Sequence, residues 1–155
     1  MTPAELQQLL ITHAPDVPGI TAAARRDDEN PYGLTVTLEG GGRAWWTITG
    51  ASPTGTAPGS GPPATGLAPV PAPDLTGHPV PVAQVEQALI ATAVAHAGDQ
   101  IRSIDRYSSR PEPPAVRYGA TIWFRDGWRL FLSCYGTTRP GQLRPDQPYQ
   151  PHTRI

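Results

Sequence analysis

With 155 residues, sixteen glycines, twenty prolines and a formal charge of −1, the chain is one domain's worth of material, and not all of it can be core. A single cysteine excludes an internal disulfide framework, and no apolar run approaches the roughly 18 residues a membrane span needs. Every basic residue is arginine, and charge is unevenly divided: residues 1–99 hold three arginines against nine acids, residues 100–155 nine against four. Such asymmetry implies halves that attract one another, or an anionic ligand on the basic half.

The N-terminus, MTPAELQQLL, lacks the basic and long apolar regions of a signal peptide, so a cytoplasmic protein is expected. Thr2 is a natural N-cap and Pro3 a natural first-turn residue for a short helix with Leu6, Leu9, Leu10 and His13 as its buried stripe; Pro15 ends it. A weaker strand is expected around Ile20 within Val17–Arg26, followed by the acidic run Asp27-Asp28-Glu29, which reads as a solvated turn.

Tyr32–Gly50 then aligns without a gap to Tyr118–Gly136 at an offset of 86 residues. Tyr32/Tyr118, Gly33/Gly119, Thr35/Thr121, Gly41/Gly127, Arg43/Arg129 and Gly50/Gly136 are identical pairs. His13, Ala14 and Asp16 recur as His96, Ala97 and Asp99 at an offset of 83. This is the signature of a duplicated supersecondary unit. Each hairpin alternates, since strand side chains point to opposite faces in turn. Val36, Leu38, Ala44, Trp46 and Ile48 face inward in the first hairpin; Ala120, Ile122, Phe124, Leu130, Leu132 and Cys134 do so in the second. Three-residue turns preserve that parity, and placing them at Gly40–Gly42 and Asp126–Trp128 sets Glu39 opposite Arg43 and Arg125 opposite Arg129.

Ala51–Pro81 holds nine prolines and five glycines and reads as a flexible tether. Val82–Ala97 is a second amphipathic helix, with Val82, Val85, Leu89, Ala93 and Val94 on one face and Gly98 as its stop. A strand over Ile101–Ser108, a proline-broken loop and the second hairpin follow. Thr137–Ile155, with four prolines and three arginines, reads as a loosely held tail.

The expected architecture is therefore α+β. A tandem α-β-β-β repeat (residues 1–50 and 82–136, joined by linker 51–81 and followed by tail 137–155) places two helices on one face of a six-stranded, mainly antiparallel sheet about a pseudo-twofold axis. His13 and His96 each fall in a last helical turn, where they complement the helix dipole, so they read as structural, with no metal, cofactor or catalytic role assigned. Gly40-Gly41-Gly42-Arg43 leads into no helix and is a hairpin turn, not a phosphate loop. Cys134 faces inward as an inert thiol.

What remains is the outward sheet face. Parity puts Arg117, Trp123, Arg125, Arg129, Phe131 and Tyr135 there in the second copy, and Trp45 in the first. Arginine interleaved with aromatics suggests a non-enzymatic binding module for a protein partner, of adaptor, chaperone-like or immunity type. The alternatives are single-stranded nucleic acid, stacked on the same aromatics, and a self-associating structural protein.

Overall fold

The computed structural model describes residues 1–26, 31–52, 67–112, 114–145 and 147–155. Helix α1, Pro3–His13, begins with a complete capping box: the Thr2 hydroxyl accepts from the Glu5 backbone N–H, and the Glu5 carboxylate accepts from the Thr2 backbone N–H. A 3-10 turn, Ala14–Asp16, follows at once. Leu6 and Leu10 are buried as expected, but Leu9 and His13 are only half-buried, and Gln7 takes the position expected of an apolar residue. Its amide can be buried because Nε2 donates to the Gly33 carbonyl at 2.7 Å, tying helix to sheet.

Strands β1 (Ile20–Arg25), β2 (Gly33–Leu38) and β3 (Arg43–Ala51) form an antiparallel meander, and β4 (Ile101–Arg106), β5 (Gly119–Phe124) and β6 (Arg129–Thr138) form another. Between them lies helix α2, Val82–Ala97. The meanders join through β3 and β6 into one six-stranded antiparallel sheet of order β1-β2-β3-β6-β5-β4. The inward residues of both hairpins are buried, Trp46 and Leu130 completely, and they share one core with Leu6 and Leu10 of α1 and Val85 and Leu89 of α2. Both helices therefore cover the same face of the sheet. Among the described residues no helix covers the other.

The turns correct the expected pairing. The Leu38 amide donates to the Gly42 carbonyl at 2.9 Å and the Gly41 amide to the Leu38 carbonyl at 2.9 Å; Gly41 sits at φ +87. In the second hairpin Phe124 N–H donates to Trp128 O at 2.8 Å and Gly127 N–H to Phe124 O at 3.2 Å, with Gly127 at φ +89. Both loops thus have three residues, but they are Glu39–Gly41 and Arg125–Gly127, one residue earlier than parity alone placed them. The left-handed glycine at the third loop position fixes this register, because other residues are strained there. Trp123 consequently pairs with Arg129 and Thr121 with Phe131, while Arg125 lies in the turn. Arg125 and Arg129 are therefore not the cross-strand partners expected. Glu39 likewise faces no partner strand position at Arg43, which pairs with Thr37.

Helix α2 is buried nearly all round, since more chain than the sheet packs on it. Leu75 and Val80, from the proline-rich segment preceding it, are core residues, and Leu67 and Val70 lie against the core. A side chain on Gly19, at φ +91, would strike the Leu75 backbone, so glycine permits this close approach. The proposed tether's residues 53–66 lie outside the described residues. The tail is pinned, not loose: Val80 and Ile155 exchange backbone hydrogen bonds of 2.6 and 2.8 Å, and Ile155 is buried. Apolar anchors that composition diluted among prolines produce this docking.

The buried face of α2 also carries a fully buried carboxylate. Glu86 accepts from Arg106 Nε at 3.0 Å, Ser108 Oγ at 2.6 Å and the Gly119 amide at 2.7 Å. Each oxygen has a donor, and the guanidinium balances the charge, which offsets the desolvation of burial. Ion pair and backbone bond together lock α2 to the end of β4 and the start of β5.

Candidate binding site

On the helix-free face, β3 and β6 run side by side and each carries an arginine two residues from an aromatic: Arg43 and Trp45 on β3, Arg129 and Phe131 on β6. Trp45, Trp123, Phe131 and Tyr135 are half-buried, as flat rings lying on a sheet are, and Arg117, Arg125 and Arg129 are exposed. The structure does not gather the seven expected residues into one patch. It divides them.

One group centres on the second hairpin. Trp123 stands opposite Arg129, whose guanidinium lies 5.2 Å above the Phe131 ring. Such a cation held over an aromatic face is attracted by the ring quadrupole. Arg117 turns away toward Tyr118, 5.6 Å from its ring centre, and Arg125 belongs to the turn. Neither joins the group.

The second group is a cleft of about 650 Å³ at the other end of β3 and β6. Its floor is Trp45, Tyr135 and Thr35, and its walls are the end of β1 (Ala24, Arg25, Arg26), Arg43, and the tail residues Leu143, Arg144, Pro145 and Pro148. Four arginines therefore surround two aromatic rings. Arg26 packs its guanidinium 4.3 Å over Tyr135, and burial lowers its pKa from the usual arginine value. Tyr135 also meets Tyr149 edge-on at 5.3 Å, and the Tyr149 amide donates to the Tyr135 carbonyl at 2.7 Å, which holds the tail wall in place. Arg25, Arg43 and Arg144 make no ion pair among the described residues.

Trp45 and Tyr135 of the cleft are legible from strand parity, but the arginines that complete it are not. Arg25 and Arg26 carry no assignment in the sequence pattern, and the acidic run beside them, read there as a solvated turn, lies outside the described residues. Arg43 was assigned to Glu39 by the misplaced turn, and Arg144 to a loose tail. The doubled arginine at the end of β1 was the one local signal.

A third constellation lies at the helix ends. His13 and His96 stack face to face with ring centres 3.7 Å apart and planes 12° apart, and Asp16 Oδ2 lies 3.6 Å from His13 Nδ1. Both histidines were noticed in the sequence, but their meeting is tertiary. Cys134, by contrast, is a poor nucleophile: burial pushes its thiol up to about 12.

Comparison with protein-family models, with curated proteins and with solved structures finds no match. No helix among the described residues is long and apolar enough to cross a membrane.

Proposed function

We propose that the protein is a non-enzymatic, cytoplasmic binding module that grips an extended, acidic segment of a protein partner on its helix-free sheet face, with the arginine-lined cleft as the anchor. The observation that carries this is the enclosure of Trp45 and Tyr135 by Arg25, Arg26, Arg43 and Arg144. Guanidinium forks meet carboxylates with two parallel hydrogen bonds, and Arg and Trp are the residues on which binding energy concentrates. The volume lies in the range of ligand-holding clefts. The groups best equipped for chemistry are committed elsewhere: Glu86 is saturated by its donors, and Cys134 is held as the neutral thiol.

The face is read as two related halves, the chain being a tandem α-β-β-β repeat about a pseudo-twofold axis. Thr47 and Ser133, equivalent in the alignment, pair with each other at the centre of the sheet. The Ile48-to-Tyr32 backbone bond, 3.1 Å, has its counterpart in Cys134-to-Tyr118, 2.9 Å, and Glu39-to-Gly19, 2.9 Å, in Arg125-to-Gln100, 2.8 Å. On this reading Arg43/Trp45 and Arg129/Phe131 are the same device used twice. Tyr135 of the cleft and Phe131 of the second group are four residues apart on β6, about 13 Å, a distance some four residues of extended chain can cover. One strand-like partner segment would meet both.

Single-stranded nucleic acid is the second reading, favoured by Trp45 as a stacking surface among arginines. Titrating the protein's tryptophan fluorescence with a short Glu/Asp-rich peptide and with oligothymidylate, each at several salt concentrations, separates them. Saturable quenching by the peptide supports the proposal. Preference for the oligonucleotide, with affinity falling steeply with salt, selects the second reading. Binding of neither overturns both.

A further inference from the structure

We propose that His13, Asp16 and His96 form a binding site for a zinc-type divalent metal ion that clamps the C-terminal ends of the two helices together. One ligand atom from each of the three residues lies within 4.8 Å of the other two. Imidazole nitrogen and carboxylate oxygen are the donors such ions take, at about 2.0–2.2 Å. Neighbouring donors around a tetrahedral ion are then about 3.3 Å apart, so the three need only close by side-chain rotation. That is open to them, because His13 is half-buried and Asp16 and His96 are exposed.

The helix dipole explains either histidine alone but not their meeting. His13 is the last residue of α1 and His96 the next to last of α2, so two helix C-termini converge where Asp16 adds a carboxylate. The partial negative charges of both ends and that carboxylate point at one small volume. Two imidazolium rings stacked 3.7 Å apart would repel. A single divalent ion bound through one in-plane nitrogen of each neutral ring, with the rings turned out of their stack, answers all three negative contributions at once. The nitrogen donors select against magnesium and calcium, which take oxygen ligands. Three protein ligands leave a coordination position for water, the pattern of an exchangeable ion. The site joins α1 of the first half to α2 of the second, so its occupancy stabilises the assembled fold by mass action. It is separate from the cleft and stands or falls without it.

The test uses the full, untagged chain stripped with chelator. Zinc titrated by calorimetry should bind at one ion per chain and raise the melting temperature; magnesium and calcium should do neither. His13→Ala and His96→Ala should each abolish uptake, and Asp16→Asn should weaken it by about tenfold or more. The double variant His78→Ala with His152→Ala should bind as the parent does. In case a variant fails to fold, cobalt added to the parent provides a second readout by NMR. Preferential broadening of the His13 and His96 ring protons supports the site, and preferential broadening of His78 and His152 overturns it. No zinc uptake by the parent, or uptake unchanged by His96→Ala, also overturns it.

Discussion

Thr47 stands directly opposite Ser133 at the seam between the two meanders, and its hydroxyl donates to the Ser133 carbonyl at 3.3 Å. From that pair the β3–β6 ladder runs to Arg43 and Thr138 at one end and Ala51 and Arg129 at the other. Neither half therefore owns its own central strand edge. The protein should unfold in one cooperative step, with far-ultraviolet circular dichroism and tryptophan fluorescence giving coincident denaturant transitions. Two separated transitions would mean that the halves are independent.

The Glu86 cage should be worth more than any surface ion pair. Glu86→Ala leaves the Arg106 guanidinium, the Ser108 hydroxyl and the Gly119 amide without their acceptor and should cost about 3–5 kcal/mol. Glu86→Gln keeps one acceptor oxygen and should cost less. Equilibrium denaturation of the two variants checks both the size and the order; equal, small losses would show that the network contributes little.

Cys134 sets a limit on alkaline stability. Its folded-state pKa of about 12 exceeds the usual thiol value of about 9, so above pH 9 the unfolded chain loses a proton that the folded chain keeps. Stability should therefore fall as pH rises from about 9 toward 12, and the fall should be shallower in Cys134→Ala, measured as the difference between the two pH profiles. At neutral pH the native thiol should resist a thiol reagent until the protein is denatured. Fast labelling of the native protein would contradict its burial.

Adjacent residues on β5 should respond very unequally to truncation. Phe124→Ala removes a buried ring and should cost about 3–5 kcal/mol. Trp123→Ala removes a half-buried ring on the open face and should cost about 1 kcal/mol through its contact with Arg129. Arg125→Ser should leave stability unchanged, because Arg125 is in the turn and opposes no charge. Ile155→Ala, emptying a core position filled by the tail, should cost about 2–5 kcal/mol.

These contrasts mark where the sequence was readable. Alternation in Val36–Leu38 and Ala120–Phe124 identified the inward face correctly, because a period of two survives any register. Register itself was not readable: moving each turn by one residue kept parity but changed which outward side chains meet, separating Arg125 from Arg129. Assembly of sequence-distant residues was equally hidden. Arg25, Arg43 and Arg144 lie on β1, β3 and the tail, and only the pinning of Tyr149 and Ile155 brings the last beside the first two. His13 and His96 repeated visibly, but nothing in either helix stated that their rings touch.

The most direct test of the binding account compares two tryptophans on the same face. Trp45→Ala and Trp123→Ala should both fold, as judged by circular dichroism and melting. With the Glu/Asp-rich peptide as probe, Trp45→Ala should lose binding about a hundredfold, the scale of a central aromatic anchor. Trp123→Ala, outside the cleft, should lose a few-fold at most by the same scale. Equal affinity of Trp45→Ala and the parent would contradict the assignment of the cleft as the site.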